Sequence, residues 1–517
     1  MQAFKSTLVA LGVMAAFASS PALAQVSVRV DTAKPGAVIN KNVYGQFAEH
    51  LGTGIYEGLW VGTDSKIPNT RGWRNDVVGA LKALHVPLVR WPGGCFADEY
   101  HWKDGIGPRS KRPVSVNTNW GGVPETNAVG THEFFDLAEM LGADAYVNGN
   151  LGTGTPQEMA EWVEYMTSTG QSSLAQLRAR NGHPQPFKVA YFAIGNEAWG
   201  CGGNMKPEYY TSLYNHYTTF LKAPKERMPK LIASGGTGDD TAWTDVLSRD
   251  AGRVTDGISF HYYTLPTGEW DRKGAAVGFP ESEWFSTVQR TLRMEDFIRK
   301  NVAVLDKNDP KKKIGFYVDE WGTWYDVEQG TNPGFLFQRN TLRDAVVAAL
   351  NFNIFHAHAE RVRMTNIAQM VNVLQAMIIT DKNRMLLTPT YYAYQMYIPF
   401  QDATSLPVTL ANNTTYGANG QGVPGISASA ARAKDGKVYV ALVNTNPREA
   451  TDVTLDVAGQ AAGTVRGQVL TADAMDAHNT FEKPQAIKPA PFSAAASGGK
   501  LTVKVPAKAV MVLAIEG

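Results

Sequence analysis

Two cysteines, Cys95 and Cys201, are all that 517 residues contain. That excludes a disulfide-stapled scaffold. Whether the two pair depends on a distance the sequence does not supply. An excess of charge of one sign is also missing: 49 Lys and Arg against 48 Asp and Glu leave a formal net charge of +1. There is no broad basic field for nucleic acid and no acidic tail. Beyond the N-terminus no apolar run is long enough to span a bilayer, so no membrane partner is expected. Also absent are His-Glu-x-x-His, Cys-x-x-Cys and Gly-x-Ser-x-Gly, and no Gly-x-Gly-x-x-Gly turn follows the first strand pattern. His356-Ala357-His358 lies on a helical pattern, where an i, i+2 pair points about 200° apart and chelates poorly. No metal and no organic cofactor are expected.

The N-terminus departs from this. Lys5 is the only charge before Arg29, Leu8–Phe17 is apolar, and Ala22-Leu23-Ala24 has the small-x-small form of a cleavage site. Ser19, Ser20 and Pro21 break the apolar run well short of the ~20 residues of a spanning helix. Residues 1–24 therefore read as a signal peptide rather than an anchor. The mature chain would begin near Gln25 and be exported, to periplasm or medium.

The length exceeds what one core usually supports, ~250–300 residues. Between residues 42 and 400, short β-type runs alternate with helical patterns. The strand candidates are Val43–Ala48, Val86–Trp91, Ala143–Asn148, Val189–Gly195, Lys230–Ser234, Gly257–Tyr262, Ile314–Asp319 and Arg361–Thr365. Helical stretches include Thr131–Leu141, opening on a Thr cap, Gln157–Met166 behind Thr155-Pro156, and Arg339–His358. Eight such units predict an α/β fold, a (β/α)8 TIM barrel with insertions; a doubly wound open sheet usually has fewer strands. Residues 401–517 change character. Asn412-Asn413 and Gly417–Gly422 read as loops, and Lys437–Val443, Thr451–Val457, Gly463–Thr471 and Leu501–Ile515 as strands. That predicts a C-terminal all-β sandwich. Val26–Val30 alternates too, so residues 25–41 are assigned to it as an N-terminal strand.

Barrel active sites sit at the C-terminal strand ends. Polar groups stand at seven of the eight: Glu49-His50, Arg90 with Cys95, Asn148 with Asn150, Asn196-Glu197, His261 with Tyr263, Asp319-Glu320, and Asn366 with Gln369. Any one alone is most simply a satisfied strand end. The coincidence favours a site, because buried carboxylates are rare without a partner or a task. Glu197 and Glu320 each close an apolar strand, three strands apart on the ring, and so can converge over the mouth. Two such carboxyls are what glycoside hydrolysis needs, one protonated and one ionised; their separation, ~5–5.5 Å or ~6.5–9.5 Å, decides between retention and inversion. Cys95 near His50 or His261 could imitate a thiol nucleophile, but its Pro-Gly-Gly neighbourhood fits backbone shaped for ligand approach equally well.

Gly195-Asn196-Glu197 and Asp319-Glu320-Trp321 resemble the (β/α)8 glycosidases that carry acid/base and nucleophile on strands four and seven. Arg90–Ala97 (RWPGGCFA), His101–Pro108 (HWKDGIGP) and Asn366–Leu374 (NIAQMVNVL) narrow the likeness. Together they resemble glycoside hydrolase family 51, the α-L-arabinofuranosidases, over nearly the whole mature chain. The resemblance implies retention, with Glu197 as acid/base and Glu320 as nucleophile. It implies that Asn196 binds the sugar's 2-hydroxyl and that Glu49, Cys95, Tyr263 and Gln369 match positions holding the arabinofuranosyl ring, although some relatives carry Asn where Cys95 stands. It makes Arg90 and His261 supporting groups around the nucleophile, Arg90 keeping Glu320 ionised. Trp102 and Trp199 are candidates for the pocket mouth or for core packing. Expected partners are arabinose-containing polysaccharides and oligosaccharides, and relatives often form homo-oligomers such as hexamers. The rival readings are a β-xylosidase or endoglucanase using the same carboxyl pair, and a catalytically silent sugar-binding barrel, which would have lost one of the two carboxyls.

Overall fold

A computed structural model describes residues 25–418, 421–458, 463–497 and 500–516. Residues 1–24, read above as a signal peptide, lie outside them. Eight parallel strands close into a barrel. They are β1 Gly45–Phe47, β2 Leu88–Trp91, β3 Asp144–Gly149, β4 Val189–Ile194, β5 Lys230–Ala233, β6 Gly257–Thr264, β7 Gly315–Thr323 and β8 Val362–Ile367. The ring closes where Asn366 and Ile367 of β8 pair with Gly45 and Gln46 of β1. Leu88, Tyr146, Tyr191, Ile232, Tyr317 and Met364 pack together as an apolar plug.

All eight expected strands are present, but β6, β7 and β8 run past their expected ends, to Thr264, Thr323 and Ile367. The sequence turns polar at His261 and Asp319, yet strand pairing continues. After a register shift between Ser259 and His261, the pairs are His261 with Glu320, Tyr262 with Trp321, Tyr263 with Gly322 and Thr264 with Thr323. The bulge re-aims the strand so that His261 stands beside Glu320.

The helices form where caps and pattern agree. α1 (Asn75–Ala83), α2 (Thr131–Leu141), α3 (Pro156–Thr167) and α4 (Ser173–Arg180) are followed by α5 (Pro207–Phe220), α6 (Ala242–Asp250), α7 (Glu281–Asn308), α8 (Leu342–Ala357) and α9 (Pro389–Met396). Thr155 caps α3, its hydroxyl accepting the Glu158 N–H at 3.1 Å, with Pro156 in the first turn. For α2 the cap is Gly130 rather than Thr131, and Glu133 reaches back to accept the Gly130 N–H at 2.9 Å. Helix α8 is buried on every side from Leu342 to His356, because the second domain covers the face that solvent would otherwise reach.

That domain is two packed sheets. One holds Val26–Val30 between Val408–Ala411 and Thr451–Val457, with Leu501–Val505 beyond; the other has six strands, with Val438–Asn444 and Val510–Glu516 adjacent. Leu501–Ile515, expected as one strand, is two that lie in different sheets, because Pro506, with no N–H to donate, interrupts the ladder. Gly417–Gly422, expected as a loop, contributes to a hairpin of Thr415–Ala418 with Gln421–Pro424. Among the described residues no helix is long and apolar enough to cross a membrane.

The barrel is tied to the sandwich through buried groups. Trp284 of α7, 0% exposed, donates its indole N–H to the Thr445 carbonyl at 2.8 Å, and Ser429 meets His356 Nδ1 of α8 at 2.8 Å. Trp284→Ala removes a large buried ring and leaves the Thr445 carbonyl unpaired, so it should cost about 3–5 kcal/mol. Calorimetry should record this as an earlier thermal transition.

Candidate active site

Arg90, projecting from β2 inside the barrel and 1% exposed, organises the site. Its guanidinium donates to Glu320 Oε1 at 2.8 Å, to Asn196 Oδ1 at 2.6 Å and to the Asp319 carbonyl at 3.3 Å. Glu320 Oε2 accepts the Tyr263 hydroxyl at 2.8 Å. Two donors, one of them cationic, thus face the two oxygens of one carboxylate. Burial works against the Arg90 charge, but Asp319 and Glu320 hold its pKa above the ordinary value.

His261 sits between the carboxylates. Nδ1 lies 2.8 Å from Glu197 Oε1 and 3.6 Å from Glu320 Oε2, and Nε2 lies 2.9 Å from Asp319 Oδ1. Both ring nitrogens face carboxylate oxygens, which suits an imidazolium donating twice. Burial disfavours that charge, yet Glu320 and Asp319 carry the imidazole up to about 10. Asp319, also bound by the Tyr146 hydroxyl at 2.7 Å, is held below the usual carboxylate range: burial opposes its charge, and Arg90 and His261 outweigh burial. Burial pushes the Glu197 carboxyl up; the bond from His261 pulls it down, and the Glu320 charge adds to the rise.

Glu197 reaches this position because β4 ends in a sharp turn. Gly195 has φ +79° and Glu197 itself φ +39°, a left-handed conformation that costs an L-residue roughly 1–2 kcal/mol. Nearby bonds hold the turn: the Ala198 N–H donates to Ser234 Oγ at 3.2 Å, and the Tyr210 hydroxyl donates to the Ile194 carbonyl at 2.6 Å.

A pocket of about 430 Å³ opens over these groups, and its lining includes Glu49, Cys95, Glu197, Trp199, His261, Tyr263, Glu320 and Gln369. Glu49 Oε1 accepts the Trp120 indole N–H at 2.9 Å and the Phe96 N–H at 3.1 Å, and Oε2 accepts the Gln369 amide at 3.0 Å. Glycine is required at position 94, where a Cβ would stand 2.8 Å from Glu49 Oε1. Burial and the Glu320 charge push the Glu49 carboxyl up to about 7. Cys95 and Cys201 form a disulfide, Cα atoms 5.6 Å apart, between the loops after β2 and β4. It leaves no thiol for nucleophilic chemistry, and Cys201 Sγ lies 3.6 Å from Glu197 Oε2.

Trp102 is corrected as a pocket residue. It is 1% exposed, stacks with Trp162 and donates its N–H to the Glu158 carbonyl at 2.9 Å, all within the core. Trp199 does line the pocket. The sequence reading assigned no role to Trp120, Trp270, Trp324 or Leu336, which also line it, or to Asp319. Asp319 had a signal, its place in Asp319-Glu320; the three Trp lie on long loops where periodicity says nothing.

Residues 80–276 match the α-L-arabinofuranosidase 1 domain, and residues 319–509 match the α-L-arabinofuranosidase C-terminal domain. An intracellular exo-α-L-arabinofuranosidase of Bacteroides ovatus is 48% identical over 98% of this chain and 99% of its own. This chain belongs to family 51 of the glycoside hydrolases, the α-L-arabinofuranosidases. The family 51 arabinofuranosidase of Xanthomonas axonopodis pv. citri superimposes with a TM-score of 0.93 at 52% identity, covering 95% of this chain and 100% of that one. The Thermotoga maritima α-L-arabinofuranosidase, solved as an arabinose complex, superimposes at 0.84 with 30% identity, covering 95% and 100%. This chain is a retaining glycoside hydrolase on a (β/α)8 barrel, as the resemblance implied.

One expectation falls. Export, with a signal peptide and a secreted enzyme, is overturned by the Bacteroides ovatus relative, which is an intracellular arabinofuranosidase aligned over almost the full length. The apolar N-terminal pattern misled because a leader and any other short apolar segment look alike in composition.

Among the described residues, two groups have the spacing of metal ligands: Glu197 with His261 and Glu320, and Cys95 with Glu197 and Cys201. In this arabinofuranosidase the first is already satisfied, since an imidazolium donates rather than ligates. The second has its sulfurs in a disulfide.

The His261 contacts carry a pH signature. Unfolded, the imidazole titrates near 6.5; folded, near 10. Its stabilisation is therefore complete below about pH 6.5 and lost as pH rises towards 10. In His261→Asn the decline of Tm across that window should flatten relative to wild type. Identical slopes would remove the imidazolium from the network.

Proposed function

We propose that the enzyme releases terminal arabinofuranosyl residues from arabinan, arabinoxylan or arabino-oligosaccharides, with Glu320 as nucleophile and Glu197 as acid/base. The observation carrying this is the approach of the two carboxyls. Single oxygens of Glu197 and Glu320, with a His261 nitrogen, lie within 4.8 Å of one another. That suits direct attack on the sugar, at ~5–5.5 Å between carboxyls, rather than the ~6.5–9.5 Å that makes room for a water.

Exo action is supported by the name of the Bacteroides ovatus relative and by the pocket, whose wall runs from Glu49, 3% exposed, to Trp270, 59% exposed. Glu49 and Gln369 would hold ring hydroxyls at the buried end, and the leaving sugar would lie towards the exposed Trp. Asn196, oriented by Arg90, would bind the 2-hydroxyl.

In the first step Glu320 attacks the anomeric carbon while Glu197 gives its proton to the leaving oxygen. Oε1 of Glu197 is occupied by His261, so Oε2 is the oxygen free to carry that proton. In the second step Glu197 takes a proton from water, the water attacks, and Glu320 departs.

Two variants test the roles. Glu320→Ala should abolish turnover, and azide should restore it as a glycosyl azide of inverted configuration. Glu197→Ala should lower kcat/KM on arabino-oligosaccharides by about 10³-fold. Aryl arabinofuranosides with acidic phenols should instead give a phenol burst, and azide should speed their turnover with retained configuration. Equal losses on good and poor leaving groups, with no burst, would refute Glu197 as the acid.

A further inference from the structure

Asp98 takes no part in the reaction just described and touches none of the reacting groups, yet it is 3% exposed beneath them. It lies in the short helical turn Cys95–Glu99 after β2. Its Oδ1 accepts the N–H of Leu151 at 2.8 Å and of Gly152 at 3.0 Å, in the loop after β3. Its Oδ2 accepts the N–H of Asn196 at 2.9 Å, in the turn after β4. One side chain thus fastens the ends of three consecutive strands.

The surroundings are shaped to it. A Cβ on Gly152 would stand 2.8 Å from the Asp98 Cβ, and one on Gly202 would stand 2.8 Å from Oδ2. No cation pairs with Asp98 among the described residues; its three hydrogen-bond partners are backbone donors. Both oxygens accept, which suits a carboxylate, although burial pushes the carboxyl up to about 7 against the three backbone bonds. The bond to Asn196 falls inside the strained turn, between Gly195 at φ +79° and Glu197 at φ +39°. Glu197 stays in that conformation only while its surroundings hold it there. Arg90 secures the side chain of Asn196 at 2.6 Å, whereas Asp98 secures its backbone.

We propose that Asp98 is a positioning residue for the acid/base: by clamping the Asn196 amide it holds the turn that aims Glu197 into the pocket. This rests on Glu197 being the acid, as proposed above. Displacing a catalytic group by about 1 Å can cost roughly 10²-fold in rate, and for an acid the loss falls on substrates whose leaving group needs a proton.

The test is Asp98→Asn, which keeps the shape but turns an NH2 group against a backbone N–H. kcat/KM should fall about 10²-fold on arabino-oligosaccharides and unactivated aryl arabinofuranosides. The dinitrophenyl arabinofuranoside should lose less than about tenfold in phenol release. In a double-mutant cycle, adding Asp98→Asn to Glu197→Ala should cost little further, because the residue acts through one that is already gone. Asp98→Ser, smaller and still an acceptor, carries the same comparison if the amide variant does not fold. A uniform loss across leaving groups, equal costs in both backgrounds, or no loss would overturn the proposal. If Glu197→Ala itself lacks the leaving-group dependence, the acid assignment fails; if it has the dependence and Asp98→Asn does not, only the clamp fails.

Discussion

A guanidinium in the middle of a barrel is expensive unless its charge is met, and Arg90 is met on three sides. Glu320 and the Asp319 carbonyl share one terminal nitrogen, Asn196 takes the other at 2.6 Å, and Asp319 Oδ2 stands 3.7 Å from Nε. Its flat faces lie against Phe47 and Tyr146, with ring centroids 4.5 and 5.6 Å away. Breaking a buried pair of this kind costs about 3–5 kcal/mol, because the remaining charge is left without a partner. The same cluster includes a second cation, His261, which meets the remaining oxygens of Asp319 and Glu197. Two cations share three carboxylates, so each cation keeps a partner when one carboxylate loses its charge.

The cluster exists only because several local decisions agree. Strand β2 must turn Arg90 inward and β6 must slip register to bring His261 level with Glu320. The turn after β4 must hold Glu197 at positive φ, and the disulfide ties that loop to the one after β2. The network thus takes strain at the ends of the strands, while the apolar plug and the alternating helices supply the stability that tolerates it.

What the sequence made legible follows from this division. The barrel could be read because its strands are short apolar runs with turn residues between them. The carboxyl pair could be read because Glu197 and Glu320 each follow such a run. The extensions of β6 and β7 could not, because pairing continues through Tyr263–Thr264 and Glu320–Thr323, past the ends the sequence pattern marks. The sequence leaves Trp102 and Trp199 between core and pocket for a physical reason: an indole suits both equally, and the two differ in burial, which sequence does not encode. Asp98 was passed over because its three bonds run to backbone amides distant in sequence, and no residue pattern announces a partner of that kind.

On the proposed assignment Glu197 must be an acid in one step and a base in the next, and the same electrostatics supply the change. In the resting site its carboxyl is raised by burial and by the charge on Glu320. Once Glu320 is joined to the sugar as an ester, its charge is gone, while burial and the His261 bond persist. One cause of the rise then vanishes just after Glu197 has given up its proton. The carboxyl is left a stronger acid, ionised and facing the water it must deprotonate. Arg90 is not stranded by that neutralisation, because Asp319 remains beside it at 3.7 Å. Asp319 makes no contact a substrate would need; its charge keeps Arg90 and His261 paired through both halves of the cycle, so that Glu320 can lose and regain its own.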